Sequence, residues 1–150
     1  MYWMEGKLKD YYGCGHPTSD KDEKTAVIEF ENGFIGYFWD FDEILTTDMI
    51  GKQIRVKLLA MGSRPVFFKL DEKYEIHQTS IDGWAYRCKG KVIEIDNQPQ
   101  HTNSPLQYIV DVGKLILYLD LSPNLMINAD VGDFIDFTCR IDIIEVNTDN

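Results

Sequence analysis

The sequence is poor in basic residues, cysteine and long apolar runs, and each shortage excludes a class of protein. Its 15 lysines and arginines stand against 25 aspartates and glutamates, and the net charge of -10 argues against general affinity for nucleic acid or anionic membrane. The three cysteines are an odd number without a secretory signal, so we expect reduced thiols and no disulfide framework. No stretch approaches the ~20 apolar residues of a membrane span, and the polar first residues predict a cytoplasmic protein.

Helical periodicity is also missing, whereas alternation of apolar and polar residues is frequent. The chain is 44% hydrophobic and 13% aromatic, which is ample for a packed core in 150 residues. Alternation places apolar side chains on one face of a strand. The sequence therefore predicts an all-β fold.

One layout occurs twice along the chain, from Gly6 to Met61 and again from Gly90 to Asp142. "EGKLKDYY" matches "KGKVIEID", and "IGKQIRVKLLA" matches "VGDFIDFTCRI". The closing strand of each copy carries a column of alternating apolar residues. These are Ile54, Val56, Leu58 and Ala60 in the first copy and Ile135, Phe137, Cys139 and Ile141 in the second. We predict two tandem β units, residues 1–75 and 76–150, packed together, with "PVFFKL" as an extra strand that closes the first.

The stretch "GFIGYFWDF" places five aromatic side chains in nine positions of a predicted hairpin. Its alignment with the leucine-rich "GKLILYLDL" of the second unit predicts that Tyr37, Trp39 and Phe41 fill the core. Phe34 and Phe38 would then face outward. We treat these two phenylalanines as candidates for partner binding or for the contact between the units.

Each unit resembles a small oligonucleotide/oligosaccharide-binding barrel, as in cold-shock domains. "GKLKDYY", "GFIGYF" and "IGKQIRV" look like that family's strand openings, and "VGDFIDFTCRIDI" looks like its closing strand. Gly6 and Gly90 interrupt their strands, which indicates a bulge or a sharp coil. Cold-shock domains bind single strands through outward aromatics beside Lys and Arg, whereas the predicted outward hairpin positions include Glu29, Asp40 and Asp120.

Two short basic islands, residues 52–69 and residues 87–91, oppose the acidic trend. The candidate binding residues in and beside them are Arg55, Lys57, Trp84, Arg87, Lys89 and Lys91. If the islands adjoin in space, they form a positive patch suited to a phosphate or a short single strand. Otherwise the cations are expected to pair with carboxylates across neighbouring strands.

No motif in the sequence indicates catalysis or a cofactor. Cys14 and His16 share a polar loop and His101 lies in the matching loop of the second unit, but a structural zinc site needs about four ligands in paired spacings. The acidic stretch "DFDEI" lacks the alternating oxygen ligands of a calcium loop and is expected to form a solvated rim. We predict no metal, no cofactor and no catalytic residues.

The combined expectation is a non-catalytic binding module whose acidic surface recognises a protein partner. A basic partner would complement this charge, as when an inhibitor or immunity protein binds a basic toxin. The alternative is a single-stranded nucleic-acid-binding protein that uses the basic islands 52–69 and 87–91.

Overall fold

The computed structural model describes residues 2–13, 23–69, 71–80, 83–100, 102 and 104–148. Within these ranges the chain forms ten β-strands and two short 3-10 helices, Thr47–Met49 and Pro123–Leu125, which confirms the all-β class. The strands are β1 (Met4–Gly13), β2 (Lys24–Phe30), β3 (Ile35–Asp40), β4 (Gln53–Gly62), β5 (Phe67–Lys69), β6 (Glu75–Gln78), β7 (Ala85–Asp96), β8 (Gln107–Asp111), β9 (Ile116–Asp120) and β10 (Phe134–Asn147). A search of the described residues for a helix long and apolar enough to span a membrane finds none.

The strands belong to one sheet, and their pairings trace two rings that share β4 and β10. In the first ring β1 pairs with β2 and β4, β2 pairs with β3, and both β3 and β4 pair with β10. In the second ring β7 pairs with β8 and β10, β8 pairs with β9, and both β9 and β10 pair with β4. The sheet is therefore barrel-like, and each ring needs a strand from the other half of the chain.

The order of elements in residues 4–62 recurs in residues 85–147. In each segment three strands are followed by a 3-10 helix and a closing strand, and the first strand pairs with the second and the fourth. The origin of this repeat by duplication and the division into units 1–75 and 76–150 stay predictions. The boundary between those units falls after the first residue of β6.

Glycine occupies equivalent places in β1 and β7 because another strand passes very close. A Cβ on Gly90 would lie 2.1 Å from the carbonyl oxygen of Asp111, and one on Gly6 would lie 2.8 Å from that of Glu29. Both strands carry a register shift two to four residues beyond the glycine, which confirms the predicted irregularity.

One hydrophobic core runs through both rings and contains the predicted columns of β4 and β10. All eight side chains of these columns are buried. A smaller cluster, formed by Leu59, Ile109 and Tyr118, lies on the opposite face of β4 and β9, because successive residues of a strand point to opposite sides. The core thus joins the two halves of the chain.

The predicted facing of β3 is wrong by one residue. Phe38 is 0% exposed, whereas Phe41 is 49% exposed and Trp39 is only half-buried. The core column of β3 consists of Gly36, Phe38 and Asp40, and the Phe38 ring occupies the space that a side chain on residue 36 would fill. A slip of one position exchanges the two faces of a strand. The glycine and the aspartate in the core column concealed its true register.

The segment between the repeated parts supplies the two outermost strands of the sheet. The predicted strand in "PVFFKL" is present as β5, but it pairs with β10, which belongs to both rings. β6 pairs with β7 at the opposite end of the strand order. Near residues 134–136, β10 therefore lies between β5 and β7.

Candidate functional site

Parts of the two basic islands meet on the outer face formed by β5, β10, β7 and β6. Asp136 lies on this face at 4% exposure and accepts hydrogen bonds from Arg87, the shorter at 3.0 Å from Nη2. Lys69 Nζ lies 3.9 Å from the same carboxylate, and Lys89 Nζ lies 3.8 Å from Glu75 Oε2. Three island cations are thus paired across neighbouring strands with two carboxylates, because Asp136 serves both Arg87 and Lys69.

A cleft of about 560 Å³ opens at the end of this basic face. Arg64 and Arg87 line it together with Phe67, whose side chain is 62% exposed. Arg64 was not among the predicted site residues, although it belongs to the island 52–69. Its approach to Arg87 depends on the pairing of β5 with β10, a long-range contact that local pattern does not reveal.

Arg55 and Lys57 lie on β4, which is not one of the strands of the basic face. Lys57 is buried, and its Nζ lies 4.5 Å from the centre of the Tyr118 ring, a cation–π contact. Arg55 is half-buried, with Glu5 opposite it on β1 and Asn147 opposite it on β10. These two cations therefore do not extend the basic face.

The remaining predicted site residues, which are Lys91, Trp84, Phe34 and Phe38, have different surroundings. Lys91 is half-buried and lies opposite Asp111 and Phe134 on the neighbouring strands. Trp84 stacks on another tryptophan, Trp39, at 5.1 Å and donates its indole N–H to a threonine hydroxyl. Phe34 stacks on Phe30 against the core. The expectation that Phe38 binds a partner is wrong, because its ring is fully inside the core.

The acidic stretch after β3 is an ordered loop organised by a buried carboxylate. Asp40 is fully buried and accepts hydrogen bonds from Tyr11 Oη at 2.7 Å, Ile44 N at 3.0 Å and Leu45 N at 2.9 Å. Its predicted outward orientation is wrong because these three donors surround the carboxylate. Burial and the hydrogen bond to Asp40 raise the pKa of Tyr11. The loop of residues 41–43, which we call the acidic loop, remains exposed.

A pocket of about 440 Å³ lies beside the acidic loop, on the outer face where β3, β10, β4 and β9 run side by side. We call it the seam pocket, because its walls come from both halves of the chain. Aromatic and aliphatic side chains from β3, the acidic loop, β4 and β10 line it, together with three aspartates and one arginine. The charged residues are Asp42, Asp120, Asp142 and Arg140.

The arginine of the seam pocket is held in place by two partners. Arg140 donates from Nε and Nη2 to the two carboxylate oxygens of Asp142, both at 2.8 Å. Its guanidinium carbon lies 4.2 Å from the centre of the Trp39 ring. Burial raises the pKa of Asp142, and Arg140 opposes this shift. These charged residues alternate with the core column of β10, which is the sequence signal that could have identified them.

Asp120 is a buried carboxylate of the seam pocket that has no cationic partner among the described residues. It is 7% exposed, and Thr102 Oγ1 donates a hydrogen bond to its Oδ2. Its Oδ1 is buried and has no hydrogen-bond partner among the described residues. A buried carboxylate oxygen without a donor is costly, and the described residues supply no hydrogen-bond donor to offset that cost at Oδ1.

The described residues contain no group of three or more His, Cys, Asp and Glu side chains able to hold a metal. Cys88 and Cys139 are free and buried, and burial raises the pKa of Cys88, which disfavours the reactive thiolate. Cys14, His16 and His101 lie outside the described residues, so the structure does not bear on their roles.

Comparison of the chain with protein-family models, curated proteins and solved structures returns no match.

Proposed function

We propose that this protein is a non-catalytic binding module that recognises a basic protein partner through its acidic surface. The observation that carries the proposal is the acidic loop. Phe41, 49% exposed, stands beside the exposed carboxylates of Asp42 and Glu43, and buried Asp40 holds the base of the loop in place. An exposed aromatic anchor on an ordered loop is a common centre of protein interfaces.

The net charge of the protein also favours a basic protein as the partner. The net charge is -10, and three cations of the basic islands are already paired with carboxylates. Long-range attraction therefore favours a partner of opposite sign and accelerates its association at low ionic strength.

The test is capture of proteins by the full-length chain, with a charge-reversed variant as comparison. We expect wild type to retain proteins with pI above about 9, and the double variant Asp42→Lys, Glu43→Lys to lose them. The matched control is Glu31→Lys, Glu72→Lys, which makes the same change of charge at exposed positions outside the loop. Equal loss in both double variants would mean nonspecific charge attraction and would contradict the proposal.

A second candidate function is binding of a short single-stranded nucleic acid in the cleft that contains Arg64, Arg87 and Phe67. The specific observation in its favour is the convergence of two arginines and an exposed aromatic ring, which suits phosphate contact and base stacking. Titration with a fluorescent single-stranded 15-mer at several salt concentrations separates the two functions. Tight, salt-sensitive binding that disappears in Arg64→Glu, Arg87→Glu would favour this candidate over the first.

A further inference from the structure

The seam pocket combines an apolar wall with an excess of negative charge. Trp39, Phe41 and Leu59 contribute to the wall, and three carboxylates outnumber the single guanidinium of Arg140. That guanidinium is already bound on two sides, by Asp142 and by the ring of Trp39. The charge of Asp142 is therefore matched, whereas Asp42 and Asp120 have no cation bonded to them among the described residues.

We infer that the seam pocket binds one lysine or arginine side chain of the basic partner, an inference that rests on the proposed function. A long cationic side chain has an aliphatic stem and a charged head. Its stem fits the apolar wall formed by Leu59, Met61 and Ile144, and its head meets the carboxylates. The pocket lies directly beside the acidic loop, because Phe41 and Asp42 belong to both.

The three carboxylates have different parts in this binding. Asp42 is exposed and is available for direct contact with the cation. A carboxylate accepts up to about four hydrogen bonds, so Asp142 can accept from a second donor while it holds Arg140. Asp120 Oδ1 is shielded from solvent, so we assign Asp120 a long-range role: its charge attracts the cation through surroundings of low dielectric constant.

A small-molecule probe tests the pocket without the partner. Arginine amide supplies the cationic side chain, and citrulline amide has the same shape with a neutral head. The full-length, ¹⁵N-labelled protein is titrated with each, and the signals of the Trp39 indole and of the amides of residues 41–42 and 140–144 are followed. We expect saturable shifts with arginine amide, with a Kd of roughly 1 mM, and no saturable shifts with citrulline amide.

Aspartate-to-asparagine variants identify which carboxylates contribute to binding of arginine amide. Asp42→Asn should weaken binding of arginine amide by roughly two- to fivefold, and Asp42→Asn, Asp120→Asn by roughly tenfold or more. The control Glu31→Gln removes one exposed charge beyond the opposite end of β3 and should leave the Kd unchanged. Because Asp42 is exposed, its single variant keeps the test valid even if replacement of Asp120 impairs folding.

The outcomes separate this inference from the proposed function. Absence of saturable shifts at the pocket, or equal weakening by Asp42→Asn and Glu31→Gln, overturns the pocket assignment, whatever the capture experiment shows. Saturable, Asp42-dependent binding of arginine amide supports the assignment even if no basic protein is captured, in which case only the proposed function fails.

Discussion

Asp40 shows how a single buried charge can organise a loop that sequence pattern assigns to solvent. Its carboxylate lies in the core column of β3, a position where an unpaired acid would be strongly unfavourable. Three donors compensate it, one from the Tyr11 hydroxyl and two from the backbone of residues 44 and 45. The aspartate therefore connects β1, β3 and the segment after the acidic loop.

Replacement of Asp40 by alanine should destabilise the protein by roughly 2–5 kcal/mol. The physical reason is that two backbone N–H groups and the Tyr11 hydroxyl lose their buried acceptor together. Urea denaturation followed by tryptophan fluorescence measures the change. Asp42→Ala, two residues away but exposed, is the control and should change the free energy of unfolding by less than about 0.5 kcal/mol. Similar effects of the two variants would contradict the account of the loop.

The first strands of the repeated segments owe their close packing to glycine. The backbone of β7 at Gly90 lies against Asp111 in β8, and β7 also pairs with β10 through residues 85–91. A side chain at this point would push two paired strands apart. Strand identity here was predictable from alternation, whereas the partner strand and the distance to it were not.

Gly90→Ala should cost roughly 2–4 kcal/mol of stability, because the new Cβ would overlap a backbone oxygen at 2.1 Å that cannot simply rotate away. Gly33→Ala is the comparison. Gly33 has a positive φ of 86° but nothing within 4 Å of an added Cβ, so only backbone strain of about 1 kcal/mol is expected. Thermal unfolding measures the stability of both variants, and Gly90→Ala should be the less stable of the two. A Gly90→Ala protein as stable as Gly33→Ala would show that β7 and β8 separate easily.

Because each ring contains a strand from the other half of the chain, the two halves of the molecule depend on each other. β3 has β10 as its second partner, and β9 has β4 as its second partner, so both connections cross the midpoint of the chain. β4 and β10 also pair directly. A half of this chain would keep its local hairpin but would expose strand edges and core side chains that the other half covers.

Cutting the chain between Gly62 and Ser63 should give two fragments that do not fold alone. Each fragment lacks a strand that its ring needs for closure, and the first fragment, at ~60 residues, would bury only about 60% of its unfolded surface even if it folded. The test is to record ¹⁵N NMR spectra of each fragment alone and of the two fragments after mixing. We expect poor dispersion in isolation and recovery of native signals on mixing. Two well-dispersed spectra from the separate fragments would instead establish independent domains.

Local pattern was sufficient for the all-β class, the succession of strands along residues 4–62 and 85–147, the core columns of β4 and β10 and the irregularities after Gly6 and Gly90. These follow from side-chain alternation and from the tendency of a glycine within a strand to mark a bulge or a close backbone approach, both of which can be recognised in short stretches. The facing of β3, the burial of Asp40 and the arrangement of Arg140, Asp142 and Asp120 did not follow. They depend on which distant strands pair and in what register, and a shift of one residue reverses which side chains meet the core.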